Sequence, residues 1–483
     1  MVDGKAYFGG KKITVFGLGL LGRGVGDTAY LADCGADIIV TDMKNEEQLA
    51  ESLEKLKAYP NITYSLGGHS EADFRGRDMV LVAAGVPSDS PFITIARESG
   101  AELAMSGALF AKLSGIPIIG VTGTRGKSTV THMIHHVLST MTEGISQAGG
   151  VLLGGNVRGV SNLQLIREVH EDSIAVMELD SWQLQGFGWA GISPHIAVFT
   201  NFMEDHLNYY VKRDPSTTTS PSEVEYRAGM DAYFADKANI FLNQEESGVF
   251  VTTPDVFERA KTFARGKGIT LGQEVMLVDD SVLPEDCILK MPGEHNRLNA
   301  ALALEALRAT GITDEEIFEG FATFPGVPGR LEYLGSVEGV KVYNDNNATT
   351  PTATVRGIEA VANPLEGEKN VILIAGGAYK EVDPSVLIAP IEKYCKQVVF
   401  LPGTGTDKLI EKLRNLPFEW KVSEGATGRE VLENAVKAGL GEAQPGDVLL
   451  FSPGFASFGM FVNEYDRNDQ FVKIIQSKIH EIE

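Results

Sequence analysis

Ten residues, Gly120-Val-Thr-Gly123-Thr124-Arg-Gly126-Lys127-Ser128-Thr129, constrain this chain more than any other stretch. Gly120 and Gly126-Lys127-Ser128 approximate the pattern G-x-x-x-x-G-K-[ST] with one extra residue between the glycines, between an apolar run beginning at Ile116-Pro117 and the helix-forming run Val130 to Leu138. A strand that turns through glycines into a helix aims backbone N–H groups and the positive end of the helix at one point, and that point holds phosphates. Gly123, Thr124, Gly126, Ser128 and Thr129 would cradle a nucleoside triphosphate. Lys127 would meet its β- and γ-phosphates, and Ser128 would take a coordination position on Mg²⁺.

Around this loop the chain alternates strand and helix patterns, which argues for mostly parallel sheets covered by helices. Residues 12 to 42 read as strand, glycine turn, helix and second strand, ending in Asp42. The turn Gly17-Leu18-Gly19-Leu20-Leu21-Gly22 matches G-x-G-x-x-G, a pattern that by itself fits either a dinucleotide-type site or a tight structural turn. A strand over Met79–Ala84 runs into Gly85-Val86-Pro87, the kind of edge that receives a ligand in an open α/β sheet. Further strands are expected in Val176–Asp180, His195–Phe202 and Ala238–Asn243, with a surface loop over Arg213–Ser222. The Pro/Gly-rich stretch Phe324–Arg330 suits a linker. The expected fold is α/β in three domains: a Rossmann-like amino-terminal domain (1–112), a central phosphate-loop domain with a mostly parallel sheet (113–327) and a carboxy-terminal Rossmann-like domain (328–483).

Charge and composition exclude some partners. A formal charge of −23 over 483 residues disfavours nucleic acid, which needs a broad basic surface. No apolar run approaches the length of a membrane span, and the first twelve residues hold no apolar signal core. The three cysteines lack metal or redox spacing. These features point to a cytoplasmic protein, expected to be a monomer.

Several motifs, in order along nearly the whole chain, resemble those of the Mur ligases. The loop T-G-T-x-G-K-S is one. Gly154-Gly155-Asn156 resembles their G-G-N, and Glu178-Leu179-Asp180-Ser181-Trp182-Gln183-Leu184 resembles E-L-S-S-F-Q-L. Asn201 to Leu207, with Asp205-His206, resembles N-x-x-x-D-H-L/M. Lys237, Asn296 with Asn299, Arg330 and Asn344-Asp345 follow. The glycine turn with Asp42, Ala375-Gly376-Gly377-Ala378-Tyr379-Lys380 and Leu450 to Phe461 resemble the glutamate-adding branch of that family.

The resemblance implies an ATP-dependent amide-forming ligase of peptidoglycan synthesis, with UDP-N-acetylmuramoyl-L-alanine and glutamate as substrates. By residue, it implies that Glu178 and His206 hold Mg²⁺ and that Lys237 carries CO₂ as a carbamate, an extra anionic ligand for a second Mg²⁺. Asn296 and Asn299 would bind adenine, and Arg330 and Asp345 the phosphates and ribose. Gly17, Leu18, Gly19, Leu20, Leu21, Asp42, Gly85, Asn156 and Gln183 would bind the UDP substrate. Thr349, Lys380, Ser457, Phe458 and Phe461 would bind the amino acid. Blander readings stand beside these: Glu178 as a solvated strand-end carboxylate, His206 as a structural histidine and Asn296 as a helix cap, while Lys237 without the resemblance reads first as a surface lysine.

Two of the departures from the family pattern bear on the site. Asn347 stands where N-D-S-K-A-T-N has lysine, and Gly329 stands where a histidine often precedes the arginine. These leave L-glutamate open beside the family's D-glutamate. Two competing readings are a folylpolyglutamate synthetase, which would leave about 110 amino-terminal residues unexplained, and a catalytically silent nucleotide-binding scaffold, against which the retained Lys127, Glu178, His206 and Lys237 argue.

Overall fold

The computed structural model describes residues 2–20, 22–141, 150–211, 222–291, 293–362, 369–379, 382–414 and 418–481. The chain packs as two compact units, one of residues 1–287 with 298–321 and one of 288–297 with 322–483; the partition falls inside the helix Glu294–Arg308.

The first unit contains two sheets. In the first, β1 (Lys12–Phe16), β2 (Asp37–Asp42), β3 (Ile62–Leu66), β4 (Met79–Val82) and β5 (Glu102–Ala104) lie in the order β3-β2-β1-β4-β5, every pair parallel. The chain winds outward from β1 to β3 and then restarts on the other side of β1. That reversal opens a crevice beyond the carboxyl ends of β1 and β4, where open α/β sheets bind ligands.

The second sheet comprises β6 (Ile118–Thr122), β7 (Val151–Gly155), β8 (Ile174–Glu178), β9 (Ile196–Phe199), β10 (Val249–Thr252) and β11 (Glu274–Leu277). Its order is β11-β10-β9-β6-β8-β7, again all parallel. Every residue of β6 and β8 is buried, as expected of strands covered by helices on both faces. The phosphate loop leaves the middle of this sheet, between β8 and β9.

The second unit carries β12 (Glu332–Val337), β13 (Val340–Asn344), β14 (Val371–Gly376), β15 (Cys395–Leu401), β16 (Trp420–Val422) and β17 (Val448–Phe451), ordered β12-β13-β17-β14-β15-β16. Only the β12–β13 pair is antiparallel. The ends of β13, β14 and β17 bring together Asn344-Asp345, Gly376-Gly377 and Ser452-Pro453-Gly454.

One expected strand is absent. Residues 238–243 form no strand but the end of the helix Glu223–Ala238 and the turns that follow it. Ile240 and Phe241 are buried there, so the short apolar run Ile240-Phe241-Leu242 has served as a packed turn rather than a strand. The Arg213–Ser222 expectation lies outside the described residues except for Ser222, whose side chain accepts from Glu225 N and caps that same helix.

Candidate active site

The phosphate loop joins β6 to the helix Lys127–Met141, whose second and third residues, Ser128 and Thr129, are buried. Gly126 has φ +82°, and a Cβ there would lie 2.3 Å from Asn299 Oδ1, so only glycine lets Asn299 pack against the loop. The loop is also fastened from the side of β9. Thr124 N–H donates to Asn201 O (2.9 Å), Arg125 N–H to Asn201 Oδ1 (2.9 Å), and Met203 N–H to Thr124 Oγ1 (2.9 Å). Lys127 Nζ folds back onto the loop, donating to Gly123 O (3.0 Å) and Thr124 O (3.1 Å).

Glu178 and His206 reach this loop from the two strands that flank β6. Glu178 ends β8, is buried, and pairs in register with Val121. His206 follows β9 in a left-handed conformation (φ 53°), a backbone state that costs of order 1 kcal/mol and persists at sites where surroundings enforce it. Asp205 Oδ1 accepts its N–H at 2.8 Å, and Arg125 lies 3.3 Å from Asp205 Oδ2. Burial first, then repulsion from Lys127 and Lys237, holds the imidazole below the ordinary histidine value against the opposing pull of Asp205. It is therefore neutral near pH 7, the form that ligates metals.

Lys237 lies on the last turn of the helix Glu223–Ala238 and is 1% exposed. Its Nζ donates to Gly123 O (2.8 Å) and sits 4.9 Å from the centre of the Tyr233 ring. Burial, followed by repulsion from Lys127, drives its pKa well below that of an ordinary lysine. A neutral amine is the form that attacks CO₂, so the site suits carbamylation chemically. Among the described residues no three His, Cys, Asp or Glu side chains converge on a metal position. The expected set holds only Glu178 and His206 of those types, its other donors being the Ser128 hydroxyl and a carbamate. Asn296 and Asn299 are both buried on the helix Glu294–Arg308.

A cleft of about 820 Å³ opens at the crevice of the first sheet, and Gly17, Leu18, Gly19, Leu20, Asp42, Gly85 and Gln183 all line it. Leu21 lies outside the described residues. The glycine turn carries its own anion: Asp42 Oδ2 accepts from Leu18 N (2.9 Å) and Gly19 N (3.1 Å), and Oδ1 from Lys44 N (2.9 Å). Those amides are thus satisfied within the protein, unlike those of a turn that waits for phosphate. Gln183 forms a capping box with Asp180, and Asn156 Oδ1 accepts from Arg23 Nη1 at 2.6 Å.

The cleft has a wall that sequence patterns did not disclose. His69 packs edge-on against Phe16 and Phe92, with its Nδ1 2.8 Å from Thr41 Oγ1. Tyr209, three residues after His206, donates its hydroxyl to Val86 O (3.3 Å) and accepts from Ser88 N–H (3.2 Å), which ties the His206 segment to the cleft rim. Tyr233 was likewise missed. These residues belong to no short motif; only their packing distinguishes them.

In the second unit, Asp345 is buried. Its Oδ2 accepts from Ser452 Oγ (2.8 Å) and its Oδ1 from Leu331 N–H (3.3 Å). Burial raises its pKa to about 7. Arg330 is exposed, Thr349 half-buried and Ser457 buried. The two phenylalanines separate: Phe461, 8% exposed, joins the core with Val431 and Phe471, whereas Phe458 is 66% exposed. Lys380 lies outside the described residues. Beneath this face Arg467 is 0% exposed and donates to three neutral acceptors, Asn346 Oδ1 (2.8 Å), Asn346 O (3.1 Å) and Phe455 O (3.3 Å). Burial lowers its pKa to about 10.

Comparison with known proteins covers the chain from end to end. It matches the models of the Mur ligase MurD-like N-terminal domain over residues 11–105, the Mur ligase middle domain over 121–215 and the Mur ligase glutamate ligase domain over 329–455. It is 33% identical to a UDP-N-acetylmuramoylalanine--D-glutamate ligase of Roseiflexus sp. (strain RS-1), covering 97% of this chain and 99% of that one. It is 30% identical to the enzyme of the same name from Clostridioides difficile (strain 630), over 96% and 97%. The fold is shared with a UDP-N-acetylmuramate-alanine ligase from Thermotoga maritima (TM-score 0.57, 19% identity, 97% and 99% covered). It is shared also with a MurF from Acinetobacter baumannii (TM-score 0.55, 17% identity, 86% and 93% covered). With three successive domains matched and full-length relatives at 30% identity or more, the chain belongs to the Mur ligase family.

Proposed function

We propose that this chain is the ATP-dependent ligase that joins D-glutamate to UDP-N-acetylmuramoyl-L-alanine in peptidoglycan synthesis. The substrate pair comes from the names of its full-length relatives. The observation that carries the chemistry is the placement of Lys237, a buried amine against the phosphate loop, between strands that deliver Glu178 and His206. A silent scaffold has no need to bury a lysine there.

The reading assigns the UDP substrate to residues 1–112, ATP to 113–327 and the amino acid to 328–483. The substrate's terminal carboxylate oxygen attacks the ATP γ-phosphorus, ADP departs, and an acyl phosphate results. The glutamate amine, after losing its proton, attacks the acyl carbon and expels phosphate. Lys127 and the loop amides stabilise the charge that develops on the transferring phosphoryl group. Ser128, Glu178, His206 and the carbamate of Lys237 would hold Mg²⁺, which supplies further charge neutralisation when bound. Asn296, Asn299, Arg330 and Asp345 bind ATP; Thr349, Lys380, Ser457, Phe458 and Phe461 bind glutamate. A cytoplasmic monomer accords with this reading, and no helix among the described residues is long and apolar enough to cross a membrane.

The test is phosphate release by purified protein with ATP, Mg²⁺ and UDP-N-acetylmuramoyl-L-alanine, offered D-glutamate, L-glutamate, L-lysine and meso-diaminopimelate in parallel. Turnover with D-glutamate is expected. Turnover only with a diamino acid overturns the assignment, and turnover with L- but not D-glutamate reverses the stereochemistry alone.

A further inference from the structure

Two of the positions at which this sequence departs from the family pattern, Gly329 and Asn347, are in contact in the folded second unit. Val327 to Arg330 form a tight turn closed by Arg330 N–H donating to Val327 O (2.9 Å). Pro328 and then Gly329, at φ +71°, occupy its middle, as a type II turn requires. Three polar groups at its apex are captured. Gly329 N–H donates to Glu332 Oε2 (2.9 Å), Asn347 N–H donates to Gly329 O (2.8 Å), and Asn347 Nδ2 donates to Pro328 O (3.3 Å). Glu332 is itself held by Asn344 Nδ2 at 2.9 Å. Arg330 leaves this braced turn with its side chain exposed.

Gly329 makes the bracing possible. A Cβ there would lie 2.9 Å from Asn468 Oδ1 and 3.1 Å from Asn347 Oδ1, on a backbone that side-chain-bearing residues rarely adopt. A histidine at 329 therefore conflicts with Asn347 as placed. A lysine at 347 would give up the short amide that reaches Pro328 O. Each departure fits the other.

We infer that Asn347 is a positioning residue which locks the Pro328–Gly329 peptide and so sets how Arg330 is presented, and that Gly329 and Asn347 form one coupled unit standing where the family has histidine and lysine. On this account Asn347 acts through Arg330 and not as a ligand of the amino acid. The inference rests on the reading of Arg330 as a nucleotide ligand.

The experiment compares the parent protein with Asn347→Ala, Arg330→Ala, the Asn347→Ala/Arg330→Ala double, and the set Gly329→His, Asn347→Lys and their double. ADP affinity by calorimetry, KM for ATP and for glutamate, and melting temperature are measured for each. Asn347→Ala is expected to weaken ADP binding and raise the KM for ATP about tenfold, roughly one good polar contact, with the KM for glutamate within about twofold of the parent. In the Arg330→Ala background the same change adds nothing further. Gly329→His and Asn347→Lys each impair binding and lower the melting temperature, and their double is less impaired than the two effects combined. A raised KM for glutamate with ADP affinity untouched overturns the inference, as does full additivity in either pair. If Arg330→Ala leaves ADP affinity unchanged, the inference falls while ligase turnover by the parent still stands. If the parent binds ADP yet shows no glutamate-dependent turnover, the proposed function falls and the ADP and melting measurements still decide the inference.

Discussion

The amine of Lys237 lies 2.8 Å from the carbonyl oxygen of Gly123, beneath the phosphate loop and out of contact with solvent. A buried amine with a lowered pKa is nucleophilic at neutral pH, and once carbamylated it presents an anion where a cation stood. Lys237→Ala is expected to be inactive and partly rescued by acetate or formate, which can restore a negative oxygen ligand. Full activity of the alanine variant, together with a parent indifferent to bicarbonate, would sink the carbamate role.

Lys127 repels Lys237 as well as folding back on the loop, so its removal has two effects. Lys127→Ala should lower turnover by a factor of about a hundred or more, since a preorganised charge at a phosphoryl-transfer site is worth several kcal/mol. It should also let the Lys237 pKa rise, measurable as slower modification of Lys237 by an amine-selective reagent. Near-normal turnover in Lys127→Ala would refute the ATP site.

Asp345 is a carboxyl whose folded pKa, about 7, exceeds its unfolded value of 3.8. The folded state thus holds its proton more tightly, so its contribution is fully present below about pH 4, declines between about pH 4 and 7, and is lost above. Asp345→Asn should remove that slope. The variant is expected to gain stability relative to the parent on moving from pH 5 to pH 8, read as urea midpoints at both values. Parallel pH dependences for the two proteins would contradict the burial argument.

Arg467 holds two loops, one leading to Thr349 and one to Ser457, through neutral acceptors alone. Arg467→Lys keeps the charge but not the planar fork, so it should cost about 2–4 kcal/mol of stability, through lost bonds and unpaired acceptors. Loosening both loops should raise the KM for glutamate more than that for ATP. An unchanged urea midpoint in Arg467→Lys would show that the fork does not brace them.

How far the sequence carries depends on the distance over which the chemistry is assembled. The phosphate loop was legible because strand, glycines, lysine and helix are consecutive, and so was the mostly parallel sheet, because strand and helix patterns alternate along the chain. Residues 238–243 were misread because a short apolar run satisfies a strand or a packed turn equally, and neighbours decide between them. Asp42 was recognisable as the acid that ends β2, but only the fold shows that its Oδ2 is taken by the amides of the glycine turn.

The sequence alone determined the order of the elements, the phosphate loop and the family, since each is written in local spacing. Tertiary structure alone decided the state of the groups those motifs supply. Lys237 sits on an ordinary helix and becomes a buried, weakly basic amine only where that helix packs against a loop 114 residues away in the chain. Gly329 and Asn347 look like two separate losses from a motif and become one coupled turn only when β12 and β13 pair. Burial and charge proximity are sums over neighbours distant in sequence, so they arise only when the chain folds.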